Sequence, residues 1–161
     1  MAARAGARLR AERGLHARAA TVQLAGSRVL LAVPTTFMNE SGAAAAPLVR
    51  RGGGAPLVVV HDELDLPAGR LKVKVGGGNA GHNGLRSIDR ALRTRDYTRV
   101  RIGIGKPPGR LHGADYVLSR PGARERELLA VTLEQAADAV EVLVSEGVDV
   151  AMQRFNTAPP E

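Results

Sequence analysis

The chain has 161 residues, 44% of them hydrophobic and 2% aromatic, which suits one domain with a core of leucine, valine, isoleucine and alanine. It has no cysteine, which excludes disulfides, zinc–thiolate sites and a thiol nucleophile, and no apolar run approaches the roughly 20 residues of a membrane span. The formal net charge of +7 favours a polyanion such as nucleic acid or an anionic surface, against the plainer alternative of an arginine-rich composition.

The first 20 residues are Arg-rich with a single acid, Glu12, and lack the apolar core of a signal peptide, so a soluble cytoplasmic protein is expected. Residues 1–15 show no clear period and read as a frayed helix or a tail. Residues 20–24 and 28–33 are short apolar runs separated by Ala25-Gly26-Ser27, which predicts a β-hairpin ended by Pro34. A loop over 35–39 leads to a helix over 40–51, capped by Asn39 or Ser41 and stopped by Gly52-Gly53-Gly54. The run Leu57-Val58-Val59-Val60 predicts a strand buried on both faces. His61 and Asp62 follow at its carboxyl end, where ligands gather in open α/β sheets.

Residues 66–69 form a turn, and 70–75 then alternate strictly. Leu71, Val73 and Val75 face a core, and Arg70, Lys72 and Lys74 face the other way. A glycine-rich loop over 76–81 precedes a helix over 83–93. Leu85, Ile88 and Leu92 share one of its faces, and Arg86, Arg90 and Arg93 another. Val100, Ile102 and Ile104 alternate with Arg99, Arg101 and Gly103, which predicts a second strand with a basic face. Residues 106–113 read as a loop. Pro121 opens a long helix whose buried stripe is Leu129, Leu133, Ala136, Ala137, Val140, Leu143 and Val144. Gly147 ends it, Asp149 caps a last helix through 155, and 157–161 form a tail. There is no repeat and no second domain. Strands and helices alternate, so the class is α/β with a mixed β-sheet flanked by helices.

Asp62 reads either as a solvated turn acid or as an acid that orients an imidazole and stabilises its protonated form. Asn83 reads either as a helix cap or as an amide beside helix N–H groups that suit an anion, with glycines on either side that admit a ligand backbone. His61, Asp62 and His82 carry metal-ligand atoms but lack a ligand spacing. Neither GxGxxG between strand and helix, GxxxxGK[ST] nor GxSxG occurs, which argues against a dehydrogenase, an NTPase and a serine hydrolase. Lys72 and Lys74, Arg99 and Arg101, and Arg86, Arg90 and Arg93 lie on definite faces, as a phosphate backbone would require. With so few aromatics, base stacking is not the main readout.

Four blocks, PTTFMNESG at 34–42, HDELDLP at 61–67, GGGNAGHNGL at 76–85 and RIGIG at 101–105, resemble bacterial peptidyl-tRNA hydrolase in order and spacing, and MQRFN at 152–156 resembles that family's final helix. The resemblance covers about 8–156 of a single 1–161 domain. It implies a three-layer α/β monomer that cleaves the ester between peptide and tRNA and returns the tRNA to translation, with no metal and no cofactor. It implies that Asp62 orients the general-base histidine and that Asn83 holds the substrate and the attacking water. Phe37, Met38, Asn39 and His82 would contact the substrate, and Lys74 and Arg101 would clamp a tRNA phosphate. The family opens with a strand ending in a glycine-asparagine-proline-glycine turn, then an Arg-His-Asn segment that holds the base. Neither is found in this chain, and His16 falls in a stretch similar to a later, non-catalytic part of the family. The expectations are therefore an N-terminally incomplete fold, very low hydrolysis with a non-catalytic tRNA- or RNA-binding protein as the alternative, and a sheet edge exposed beside 57–60 that invites self-association.

Overall fold

The computed structural model describes residues 1–107, 109 and 113–157. The loop read over 106–113 and the tail over 157–161 lie partly outside these residues. The fold is α/β, as expected, but the strands divide between two three-stranded sheets, and the chain forms two compact units.

The first unit comprises Met1–Leu57 and Gly76–Tyr97. Its antiparallel sheet runs β1 (Arg10–Glu12), β2 (Ala17–Leu24), β3 (Ser27–Pro34). The hairpin appears where the sequence predicts it. Ala25 and Gly26 both take positive φ, 47° and 78°, which gives the turn the twist that a two-residue hairpin favours. The expected frayed helix or tail at the start is instead turns and strand β1, paired in register with Ala17 to Ala19. Three residues are too few for alternation to show. The Arg51 guanidinium holds β1 in place by an ion pair with Glu12 at 2.9 Å. Leu15, Ala17, Ala19 and Ala44 form a small buried cluster, with Leu30, Ala32 and Leu48 packed on it.

Helix α1 (Ser41–Arg51) follows a 3-10 turn over Met38–Glu40. Neither Asn39 nor Ser41 caps it. Glu40 holds the cap position without a side-chain bond, and the Ser41 hydroxyl donates to the Met38 carbonyl at 2.7 Å. The cap comes from α2 (Asn83–Leu92), whose Ser87 hydroxyl accepts from the Gly42 N–H at 3.0 Å. The helices touch at Gly42: a Cβ there would collide with the Ser87 carbonyl and lie 2.7 Å from the Ala91 Cβ.

The second unit comprises Val58–Val75 and Thr98–Glu161. Its sheet is mixed. β6 (Thr98–Gly103) lies at the centre, parallel to β4 (Val58–Glu63) and antiparallel to β5 (Leu71–Val75). Leu71, Val73, Val100 and Ile102 are buried. The run at 57–60 is not buried on both faces: β4 is an edge strand among the described residues, and Val60 is 47% exposed. An apolar run reads alike at the edge and in the middle of a sheet, so the run alone misleads, while the edge lies beside 57–60 as the family resemblance predicts. Val75, expected in the core, is also partly exposed.

Helix α3 is Gly113–Leu118, and α4 is Ala123–Ser145. Pro121 lies just before the Gly122 cap rather than inside the helix. The buried stripe of α4 holds Ala136, Ala137, Ala139 and Val140 as well as Thr132, whose hydroxyl donates to the Leu128 carbonyl, while Leu133 is exposed. Helix α5 (Val148–Phe155) starts at Gly147, with φ 90°, and not at Asp149. Just past its end, the Asn156 amide accepts from the Val73 N–H at 2.7 Å and donates to the Val73 carbonyl at 2.9 Å.

Gly42→Ala is expected to destabilise the chain by about 1–3 kcal/mol, because the new methyl meets backbone that can only yield by separating two helices. Urea denaturation measures it. A shift of midpoint no larger than that of Gly78→Ala, at a position with open space around it and no left-handed backbone, would count against the close contact.

Candidate functional site

The sequence candidates fall into two groups, one in each unit. In the first unit, the 34–42 and 76–85 blocks meet. A Cβ on Gly84 would lie 2.5 Å from the Met38 sulfur and 2.9 Å from His82 Cε1, so glycine is what lets the loop before α1 sit on the start of α2. Phe37 and Met38 are 81% and 57% exposed, and Asn39 and Asn83 are exposed too. Apolar side chains held out from such a rigid base are suited to touch a ligand.

The start of α2 departs from expectation. Asn83 does not cap it; His82 does. The His82 Nδ1 accepts from the N–H groups of Gly84 at 3.1 Å and Leu85 at 3.2 Å, so its ring proton sits on Nε2. Two of the helix N–H groups that the sequence offers to an anion are therefore taken by an imidazole, and the exposed Asn83 is not needed as the cap. The loop before the helix is moored by Asn79, whose amide donates to Asp89 at 3.3 Å and accepts from the Gly81 N–H at 3.4 Å. Asp89 also accepts from the Tyr97 hydroxyl at 2.7 Å and pairs with Arg95 at 3.3 Å. Sequence reasoning missed Asp89. The available signal was one acid among the arginines of that helix.

In the second unit, register sorts the candidates. Lys72 lies opposite Arg101 and Lys74 opposite Arg99, while His61 lies opposite Arg101. Side chains alternate along a strand, so these residues and Glu63 share one face of the sheet. Asp62, opposite Ile102, belongs to the other face. The acid and the basic residues are thus kept apart by the sheet itself.

The basic face is also less open than predicted. Lys72 and Lys74 are exposed, but Arg99 is buried, and Arg101 donates through Nε and Nη2 to Glu63 at 3.0 and 2.9 Å. Glu63 also accepts from the Asp65 N–H at 3.0 Å. Burial pushes its carboxyl up, but the Asp65 N–H, the Arg101 hydrogen bonds and charge, and His61 outweigh burial and hold it below the ordinary value. Glu63 was hidden in the HDEL string beside the more obvious Asp62. The His61 ring N–H, at Nδ1, donates to the Asp62 carbonyl at 2.7 Å. Among the described residues no group of three or more His, Asp and Glu side chains is placed to hold a metal ion.

A family model described as peptidyl-tRNA hydrolase matches residues 1–161. The peptidyl-tRNA hydrolase of Frankia alni is 50% identical over 158 residues, which is 97% of this chain and 80% of that protein. That of Mycobacterium tuberculosis is 47% identical over 158 residues, 97% of this chain and 83% of that one. A crystal structure of peptidyl-tRNA hydrolase from Acinetobacter baumannii superposes with a TM-score of 0.91 at 33% identity, covering 99% of this chain and 82% of the other. These relatives favour a hydrolase over the non-catalytic RNA-binding alternative, and they lend no support to the expectation of very low activity.

Two measurements test the site's internal bonds. His82→Ala should cost about 1 kcal/mol by leaving the N-terminus of α2 uncapped, and His82→Ser should restore most of it; equal losses in both would refute the capping role. Glu63→Gln should cost about 2 kcal/mol near neutral pH by leaving Arg101 unpaired. The folded pKa of Glu63 lies below 4.5, so its contribution is whole above that pH and is lost as pH falls through the folded value. The gap in stability between wild type and Glu63→Gln should therefore close in acid; a constant gap would sink this account.

Proposed function

Because the chain belongs to the peptidyl-tRNA hydrolase family, we propose that it hydrolyses the ester between peptide and tRNA, releasing tRNA for reuse in translation, and that residues 1–161 act as one domain in doing so. The observation that carries this reading is the seat of the Phe37–Met38–Asn39 loop on the His82–Asn83–Gly84 helix start. In it, Phe37 and Met38 meet the 3′ end of the substrate, Asn39 and Asn83 hold its polar groups, and Asn83 positions the attacking water. His82 fixes the helix start that presents Asn83. Asp62 is the acid that would orient a general-base imidazole and stabilise it when protonated, the base itself belonging to the family's Arg-His-Asn segment, which residues 1–161 do not contain.

Lys74 supplies an exposed charge for a tRNA phosphate. Arg101 joins it as a clamp whose direction Glu63 holds. The enzyme acts as a cytoplasmic monomer without metal or cofactor. No described helix is long and apolar enough to cross a membrane. The exposed edge of β4 is the feature through which copies would associate instead, and sedimentation would reveal it.

Incubation with N-blocked aminoacyl-tRNA tests the proposal, with tRNA binding measured in parallel at two salt concentrations. Wild type should release the blocked amino acid, and Asp62→Asn should lower kcat by about 10²–10⁴-fold with tRNA affinity kept. Binding without cleavage by the wild type would replace this reading with the non-catalytic one.

A further inference from the structure

Asn83 is followed by Gly84, and the fold demands that glycine, because a Cβ there would lie 2.5 Å from the Met38 sulfur. An asparagine before a glycine carries a chemistry of its own. The nitrogen of the next residue can attack the side-chain amide carbon, and glycine has no side chain to obstruct it. A bond forms between the Gly84 nitrogen and Asn83 Cγ, the Cγ–Nδ2 bond breaks, and the amide leaves as ammonia with the proton that the Gly84 nitrogen gives up. Water then opens the cyclic imide at either carbonyl, leaving aspartate or isoaspartate at position 83. The other asparagines lack this arrangement: Asn39 precedes Glu40, Asn79 precedes Ala80 and Asn156 precedes Thr157. Asn79 and Asn156 are also held by hydrogen bonds at both ends of the amide.

The native start of α2 opposes the reaction in two ways. Asn83 is the first residue of the helix, and ring closure requires it to leave the helical ψ of about −42°. The attacking nitrogen is also engaged: Gly84 is buried, and its N–H is donated to His82 Nδ1 at 3.1 Å. Asn83 itself is exposed, so water reaches the imide once it forms. We propose that Asn83–Gly84 is a site of self-modification, at which asparagine converts to aspartate or isoaspartate through a cyclic imide when the helix start opens, and that the His82 cap sets how often it opens. Isoaspartate carries the main chain through its side chain and lengthens it by one carbon, which breaks the spacing of the N–H groups over the His82 ring. Either product places at 83 a carboxylate, which accepts but cannot donate when ionised. The consequence for catalysis rests on the reading of the chain as a hydrolase of peptidyl-tRNA, in which the Asn83 amide holds the substrate.

The test incubates the full chain in warm, mildly alkaline buffer, digests it with trypsin and maps the asparagines by mass spectrometry. Cleavage after Lys74 and Arg86 leaves Asn79 and Asn83 on one peptide, so fragment ions compare the two directly. The samples are wild type, His82→Ala, His82→Ser and wild type held in urea. Asn83 should convert ahead of Asn39, Asn79 and Asn156 in all of them, and fastest in urea. His82→Ala should convert Asn83 about 3- to 10-fold faster than wild type, the factor that loss of one N-cap implies, and His82→Ser should return close to the wild-type rate. Equal rates in wild type and His82→Ala overturn the proposal, as does a rate in urea no higher than in the folded chain. A slower rate in His82→Ala also overturns it, since the ring would then draw the proton from Gly84 rather than hold the nitrogen back. Acceleration shared equally by Asn39 and Asn156 does the same, because it marks opening of the whole chain. Cleavage of N-blocked aminoacyl-tRNA by the incubated wild type should fall in step with the fraction of Asn83 converted, and constant cleavage overturns the consequence for catalysis. If fresh wild type does not cleave at all, the hydrolase reading falls, and the peptide map still decides the modification.

Discussion

The approach of α1 to α2 at Gly42 governs the geometry of the first unit. With no side chain at that position, the Ser87 hydroxyl of one helix reaches the Gly42 N–H of the other and serves as its cap. Once the helices are locked at this distance, the turn over Met38–Glu40 has only one place to go, against Gly84 at the beginning of α2. Phe37 is then forced outward.

The second unit is governed by strand alternation. Because β6 is bonded on both sides, its residues impose a common facing on β4 and β5. A shift of one residue in either partner would move every charge to the opposite face. The Glu63–Arg101 pair guards against such a slip, since it forms only when both side chains emerge on the same side. That a carboxylate is buried to hold an arginine makes sense if direction matters more than net stability, because buried pairs add little of the latter.

Much of this architecture is legible in the sequence, and the failures have a pattern. The hairpin at Ala25-Gly26, the alternation of Leu71 to Lys74 and the apolar stripe Leu85, Ile88 on α2 are set by neighbours along the chain, and they can be read from them. What cannot be read depends on distant partners. Asn39, Ser41, Asn83 and Asp149 are all good capping residues, yet Ser87, His82 and Gly147 do that work, because a cap needs an atom in place and not a favourable residue type. Strand β1 is too short to announce itself and exists through its pairing with β2. The basic strand at 99–101 has the alternation of a solvent face, but nothing in the string says that Arg99 is buried or that Glu63 takes Arg101. Within the candidate site, the family blocks were visible as motifs, while the residues that brace them, Asp89 and Glu63, look like ordinary surface acids until the contacts are drawn.

Asn156 adds a different kind of consequence. Its amide offers β5 one acceptor and one donor, the same two groups that a peptide unit of a neighbouring strand would offer, and it meets both sides of Val73. The outer rim of β5 is thereby closed in its middle by a single side chain. On β4 the His61 ring donates to the Asp62 carbonyl, one backbone group rather than two. Among the described residues the sheet is therefore asymmetric: its β5 rim is closed at Val73, while its other edge strand, β4, carries the exposed Val60.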